Sequence, residues 1–311
     1  MASTVGSEAD TGATGPQKQT IGQRLGEFAT FVWNPETSEC LGRTGLSWAK
    51  IILFYVIYYI CLAGFWIAMI AVFYQTIDWD YPRLSGEDSL LRDNPGLGFR
   101  PLPDVKTTLI RFIKGKPSTY KPYTDHIEAF LKFYENAGQV GENVMDCSSI
   151  PNYREKKDWN KVCKFDLSRD LGQGNPCIKQ DDFGYDDGQP CVLIKLNKIY
   201  NWMPQKYENG SIPGEVGGGY MDNAVNIRCT GENPSDQENI GNVAYYPPEG
   251  FHFKYFPFLN QQGYRQPIMF AQFTNVTNGV VIMVRCRAFA KNIAYDTNER
   301  AGSVHFELMV D

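Results

Sequence analysis

Histidine is scarce in this chain: three in 311 residues, at His126, His252 and His305. The three are scattered, His126 in a helical stretch and His305 on the outward face of a strand. They suggest neither a zinc set nor a Ser/His/Asp arrangement. G-x-S-x-G, Walker A and G-x-G-x-x-G are all missing, and with them the usual signatures of acyl transfer, P-loop and dinucleotide chemistry. A cationic excess is missing too. With 30 Lys and Arg against 35 Asp and Glu, the net charge is −5, which gives no reason to expect nucleic acid as a partner. No internal repeat is visible. Two acidic groupings fall short of a metal site. Asp78-Trp79-Asp80 has the form of the D-x-D of glycosyltransferases, but it sits at the end of a long apolar run and reads as a polar stop. Asp181, Asp182, Asp186 and Asp187 lack the spacing and terminal Glu of an EF-hand and read as a solvated loop. No cofactor or metal is therefore expected on this chain.

What the sequence does contain is a stretch without any charge, residues 51–77, between Lys50 and Asp78. A helix rises about 1.5 Å per residue, so this run exceeds the roughly 30 Å hydrocarbon core of a bilayer. Trp48 and Trp79 flank it, where indole rings favour the headgroup region. It is too long, and begins too deep in the chain, for a cleaved signal peptide. The reading is a transmembrane helix over residues 50–78. Basic residues do not orient it, since Arg43 and Lys50 before it match Arg83 and Arg92 after it. Two other features do. The acceptor motifs Asn209-Gly-Ser and Asn275-Val-Thr lie C-terminal to the span, and so do six of the eight cysteines, Cys147, Cys163, Cys177, Cys191, Cys229 and Cys286. Both point to an oxidising, glycosylating compartment for the C-terminal part and a cytosolic N-terminus.

The rest follows from periodicity. Residues 1–49 read as a cytosolic tail, disordered to about residue 20 and then unusually aromatic. Residues 79–120, rich in Pro and Gly near their start, read as an extracellular stalk. From Tyr123 to Glu135 apolar residues recur at helical spacing, and beyond that the period becomes two. Val280, Ile282, Val284 and Cys286 share a face opposite Met283, Arg285 and Arg287. Val225, Ile227 and Cys229 share a face opposite Asn226 and Arg228. Val304, Phe306, Leu308 and Val310 point inward from the last strand. The fold class expected is a single-pass, type II transmembrane helix followed by a mainly-β extracellular domain over 121–311, an immunoglobulin-like sandwich with one flanking helix. Cys229 and Cys286 both face the core and are plausible partners, but six cysteines allow fifteen connectivities.

Several blocks then point to a family. The segment before the span has Phe28, Phe31, Trp33 and Asn34, then Leu41-Gly42-Arg43-Thr44, then Trp48. The span continues with Leu53-Phe54-Tyr55-Val56-Ile57 and Cys61-Leu62-Ala63-Gly64. Further on stand Gly188-Gln189-Pro190-Cys191-Val192-Leu193-Ile194-Lys195-Leu196-Asn197, Tyr255-Phe256-Pro257, Gln266-Pro267 and Gln272-Phe273-Thr274-Asn275. In this order the blocks resemble the β subunits of Na,K- and H,K-ATPases, from about residue 28 to the C-terminus. The loop from Cys163 to Cys177 is longer than the family's.

The resemblance implies three disulfides between neighbouring cysteines: Cys147–Cys163, Cys177–Cys191 and Cys229–Cys286. It implies a plasma-membrane, non-catalytic subunit with N-linked glycans, which assembles with a catalytic α subunit, supports its folding and export, and tunes K⁺ affinity. ATP, Mg²⁺, Na⁺ and K⁺ would all bind α, and a small single-span regulatory subunit is a further expected partner, with the lipid bilayer. Tyr55 and Tyr59 would pack on transmembrane helices of α, Tyr255, Phe256 and Pro257 would contact α outside, and Cys61 matches a position open to glutathionylation. Helical geometry adds that Tyr55, Tyr59, Leu62 and Trp66 lie within about 60° of one another. Gly64, Ala68 and Ala71 lie opposite, a small-xxx-small stripe suited to a second helix. Two sequons are few for the gastric H,K type and favour the Na,K type. The alternatives are an H,K-type β subunit and a cell-adhesion glycoprotein of the same topology.

Overall fold

In the computed structural model, residues 21–90, 93–135, 138–208, 210–297 and 301–311 are described. The expected disordered stretch 1–20 lies outside them, as do Arg92 and Asn209. The chain divides into two units, one ending at Ile77 and one running from Asp78 to Asp311.

In the first unit, helix α1 (Ile21–Val32) leads into three two-residue strands, β1 (Trp33–Asn34), β2 (Glu39–Cys40) and β3 (Arg43–Thr44), paired in that order. Cys40 pairs with Arg43, leaving the two-residue loop Leu41-Gly42 with φ of 52° and 70°. Positive φ at both positions gives the hairpin turn whose twist matches the flanking strands, a conformation free to glycine and costly to leucine. The Leu-Gly-Arg-Thr block of the sequence is thus a hairpin. Helix α2 (Gly45–Gln75) follows, 31 residues and so ~46 Å long. It begins at Gly45 rather than Lys50 because nothing between Thr44 and Lys50 breaks a helix, and the Trp48 indole N–H is held by the Cys40 carbonyl at 2.8 Å. It ends before Asp78, where Thr76 turns its hydroxyl back onto the Phe73 carbonyl at 2.7 Å.

In the second unit the strands are β4 (Leu97–Arg100), β5 (Leu109–Phe112), β6 (Val144–Met145), β7 (Val162–Cys163), β8 (Cys191–Leu196), β9 (Ala224–Gly231), β10 (Asn242–Tyr246), β11 (Phe251–His252), β12 (Ile268–Thr274), β13 (Ile282–Phe289) and β14 (Ser303–Val310). Helices α3 (Pro117–Leu131), α4 (Leu167–Asp170) and α5 (Pro234–Asn239) lie between them. Two sheets form, β10-β12-β8-β4 and β11-β9-β13-β14-β5, with β6 and β7 as a separate pair. The three predicted strand regions all exist, with Ile282, Val284, Cys286, Phe306, Leu308 and Val310 fully buried. Phe306 joins the two sheets, its ring 4.9 Å from Phe99 of β4 and 5.9 Å from Phe273 of β12. β12 is apolar almost throughout and buried at every residue but its last, as a central strand covered on both faces must be.

Three expectations need correction. The stalk read over 79–120 is interrupted: β4 and β5 are strands of the two sheets, β4 beside β8 and β5 parallel to β14. Their four-residue length gives too short an alternation to stand out among the surrounding Pro and Gly. The flanking helix starts at Pro117, a favoured first helical residue, and carries Pro122 inside its first turns. Its regular part ends at Leu131, followed by a tighter turn to Tyr134. Asn226, read as outward-facing, is completely buried. Its side chain closes a loop, accepting from Met221 N–H at 3.0 Å and donating to the carbonyls of Met221 and Ala224 at 2.8 and 3.0 Å.

Candidate functional site

α2 is the first candidate surface. None of its residues is buried within this chain. Its 18-residue window of highest apolarity reaches a mean hydropathy of 2.3, so over that stretch the surface it offers is predominantly apolar. Among the predicted contact residues, Tyr55, Tyr59 and Trp66 are all at least half exposed. Tyr55 and Tyr59 stack at 6.1 Å. The structure adds a second ladder the sequence reading passed over, Phe54 on Tyr58 at 6.3 Å. Its i, i+4 spacing was the available signal. A side-chain carbon at Gly64 would meet nothing within 4 Å, so the small stripe with Ala68 is an open groove. Cys61 is an exposed free thiol on this helix, and Cys40 is a half-buried one before it.

The cysteines of the second unit form three bridges: Cys147–Cys163, Cys177–Cys191 and Cys229–Cys286. The third joins residues directly opposite each other on neighbouring strands β9 and β13, within one sheet. Sequence separations are 16, 14 and 57. In the chain-entropy account these loops are worth roughly 3 kcal/mol for each short one and about 4 for the long one. The loop before Cys177 contains α4, whose first turn is capped by Asp166 accepting from Ser168 and Arg169 N–H groups at 3.0 and 3.1 Å. Of the two Asn-x-Ser/Thr motifs, that of Asn275 places its asparagine exposed in the turn after β12, with φ 59°. Gly241 lets this turn approach: a Cβ there would run into the Thr274 and Asn275 carbonyls.

The expectation for Tyr255, Phe256 and Pro257 is corrected. All three are buried in this domain's own interior. Tyr255 packs on Phe165 at 5.3 Å and Phe256 on Trp202 at 5.4 Å. Burial, and then the nearby Asp170 carboxylate, hold the Tyr255 phenol well above its ordinary pKa. An aromatic, Pro-rich stretch reads equally well as contact surface or as core, and only packing separates the two.

The remaining sequence candidates are spread over the domain. His126 accepts the Leu102 N–H at 3.3 Å, and burial with the Arg100 charge pulls its pKa down. His252 is lowered mainly by burial and then by Lys254. His305 bridges Glu232 and Glu307 at 2.9 and 2.8 Å. In the acidic loop, Asp186 accepts the Tyr120 hydroxyl at 2.7 Å. Among the described residues, no group of three or more His, Cys, Asp or Glu is placed to hold a metal.

An apolar helix with no buried residue, joined to a disulfide-braced sandwich, defines a single-span membrane protein with one folded β domain. The comparisons with known proteins specify it further. The profile of the sodium/potassium ATPase β chain family matches residues 18–306, and the chain belongs to that family, one of accessory rather than catalytic subunits. Among its relatives, the sodium/potassium-transporting ATPase subunit beta-2 of Drosophila melanogaster is 35% identical over 95% of this chain and 93% of its own length. The probable subunit beta-3 of Caenorhabditis briggsae is 34% identical over 91% and 86%. The human subunit beta-2 is 31% identical over 95% and 98%.

Proposed function

We propose that this chain is the β subunit of a Na,K-type pump: it assembles with a catalytic α subunit, supports the folding, export and membrane insertion of α, and modulates the K⁺ affinity of Na⁺/K⁺ exchange. The observation that carries this reading is α2, a membrane helix with an aromatic ladder on one side and an open small-residue stripe on the other, in a chain of this family. Tyr55, Tyr59 and Trp66 dock on helices of α, and Gly64 and Ala68 admit a second helix of α at close range; a small single-span regulatory subunit is a further partner. The second unit lies outside the plasma membrane, with N-linked glycans on Asn209 and Asn275, and the N-terminus is cytosolic. Cys61 is open to glutathionylation from its exposed position. ATP, Mg²⁺, Na⁺ and K⁺ are bound by α. By covering surface that α alone leaves exposed, β stabilises native α by mass action.

The test is ouabain-sensitive rubidium uptake in cells making a Na,K-ATPase α with or without this chain, alongside pull-down of α. A rise in both uptake and surface α is expected. Pull-down without added uptake moves the assignment to an H,K-type α. Failure with every α, together with cell aggregation by the second unit, would make adhesion the function.

A further inference from the structure

Four cations gather on one face of the four-stranded sheet without a carboxylate among them. Phe99 points inward to Phe306, so its neighbour Arg100 points outward. Gly98 lies opposite Lys195 on β4 and β8, which puts Arg100 and Lys195 on the same face. A Cβ on Gly98 would come within 3.3 Å of Lys195 Cε, so the glycine leaves room for the lysine stem. Lys198 follows β8, and Arg265 precedes β12. Each charge but that of Lys195 is set on aromatic rings: Arg100 5.8 Å from Phe130, Lys198 5.2 Å from Phe258 and 5.4 Å from Tyr264, and Arg265 3.6 Å from Phe133. Arg265 is also tied to the Phe133 and Gly263 carbonyls at 2.6 and 2.9 Å. A cleft of about 380 Å³ opens beside Lys195 and Lys198, lined with them by Phe130, Phe133, Tyr134 and Gln266.

The electrostatics of this cleft are unrelieved. Burial pulls the pKa of Lys195 down, and Arg100 and Lys198 pull it further. Burial and then Arg265 do the same to Lys198. Among the described residues none of these cations is joined to a carboxylate, whereas some cations elsewhere are, as Lys161 is to Asp158 and Arg111 to Asp311. In a chain of net charge −5, such a cluster is not background. Like charges held together in a half-buried place raise the affinity for an anion.

The form of the cleft selects the anion. Sulfated polysaccharides and anionic lipid surfaces meet broad arrays of freely exposed cations. Here Arg265 is buried, Lys195 is half-buried, and the walls are rings, with Phe133 itself 52% exposed. We propose that this cleft binds an acidic peptide segment of a partner protein, with Lys195 and Lys198 holding a carboxylate and Phe130 and Phe133 receiving the neighbouring apolar side chain. The segment docks by charge at its centre and apolar contact at its rim.

The experiment uses the full chain in detergent and a fluorescein-labelled octapeptide of alternating Glu and Phe, read by fluorescence anisotropy. Binding should weaken as salt rises. Lys198→Gln and Lys195→Met should each weaken it about tenfold, as expected for loss of a charge-assisted bond. Phe133→Ala should weaken it less, and Lys106→Gln, an exposed lysine elsewhere, should leave it unchanged. Lys198 is exposed, so its variant remains informative even where Lys195→Met fails to fold. Equal affinity of wild type and both lysine variants overturns the proposal, as does equal binding of the matching Lys/Phe peptide. Tighter lysine-dependent binding of a heparin oligosaccharide or of phosphatidylserine vesicles than of the acidic peptide overturns it as well.

Discussion

Helix α2 and strand β13 are both strongly apolar, yet the chain treats them in opposite ways. In β13 the apolar residues alternate with Met283, Arg285 and Arg287, and Ile282, Val284 and Cys286 are completely buried. In α2 no residue is buried at all. The difference lies in pattern rather than amount. A strand with one apolar face can hide that face against a second sheet and leave the other to water, gaining roughly 1.5–3 kcal/mol for each large side chain it buries. A helix apolar all round has no face to offer water, so its environment has to come from outside the chain, as lipid or as a partner's helices.

The comparison breaks if residues of the second unit prove as dispensable to its stability as those of α2. The largest effect is expected at Phe306, where the two sheets meet: Phe306→Ala should cost about 3–5 kcal/mol, read by denaturant unfolding of the second unit within the full chain. Replacing Cys229 and Cys286 together by Ser should cost roughly 2–5 kcal/mol by the same measurement, the larger cost among the three bridges because it closes the longest loop.

A smaller effect is expected from pH. Burial holds His252 below the ordinary histidine value of 6.5, so the unfolded chain takes up its proton before the folded one does. Stability is therefore full above about pH 6.5 and falls as pH drops from there toward the folded pKa, by at most about 1.4 kcal/mol per pH unit for one proton. His126, lowered by burial and then by the Arg100 charge, acts in the same direction. Melting temperature against pH should show this slope, and His252→Gln should flatten it. Arg111→Ala removes an exposed ion pair to Asp311, 2.9 Å long, and should change stability by less than about 1 kcal/mol. Tyr59→Ala sharpens the contrast most. It should leave the melting of the second unit unmoved and yet reduce the amount of α captured.

Much of this architecture was legible because it rests on local signals. The span needs only an unbroken charge-free run, and the strands around Cys229, Cys286 and Phe306 need only a period of two. β4 and β5 were hidden because four residues carry too little alternation to be told from an extended linker, and what makes them strands is pairing with β8 and β14. Asn226 and Tyr255 were misplaced for a related reason. A polar residue on the alternating face reads as exposed until a loop folds over it, and the contact role of Tyr255 came from the family resemblance, since an aromatic cluster reads equally as surface or core until its neighbours are known. On α2 the tyrosine ladder was visible from helical spacing alone, since residues four apart meet on any helix.

The sequence by itself determined the membrane helix, the phase of the long strands and, through its ordered blocks, the family. Each depends on residues near one another in the chain, where backbone geometry fixes which side chains share a face. Only the tertiary structure decided that the supposed stalk belongs to the sandwich, that Tyr255, Phe256 and Pro257 are core, and that Lys195 and Lys198 share one cleft with Phe130 and Phe133. Those facts depend on contacts between residues as much as 198 positions apart, as from Leu109 to Glu307. No local pattern encodes such contacts, because they form only when the packing of the whole domain brings distant segments together.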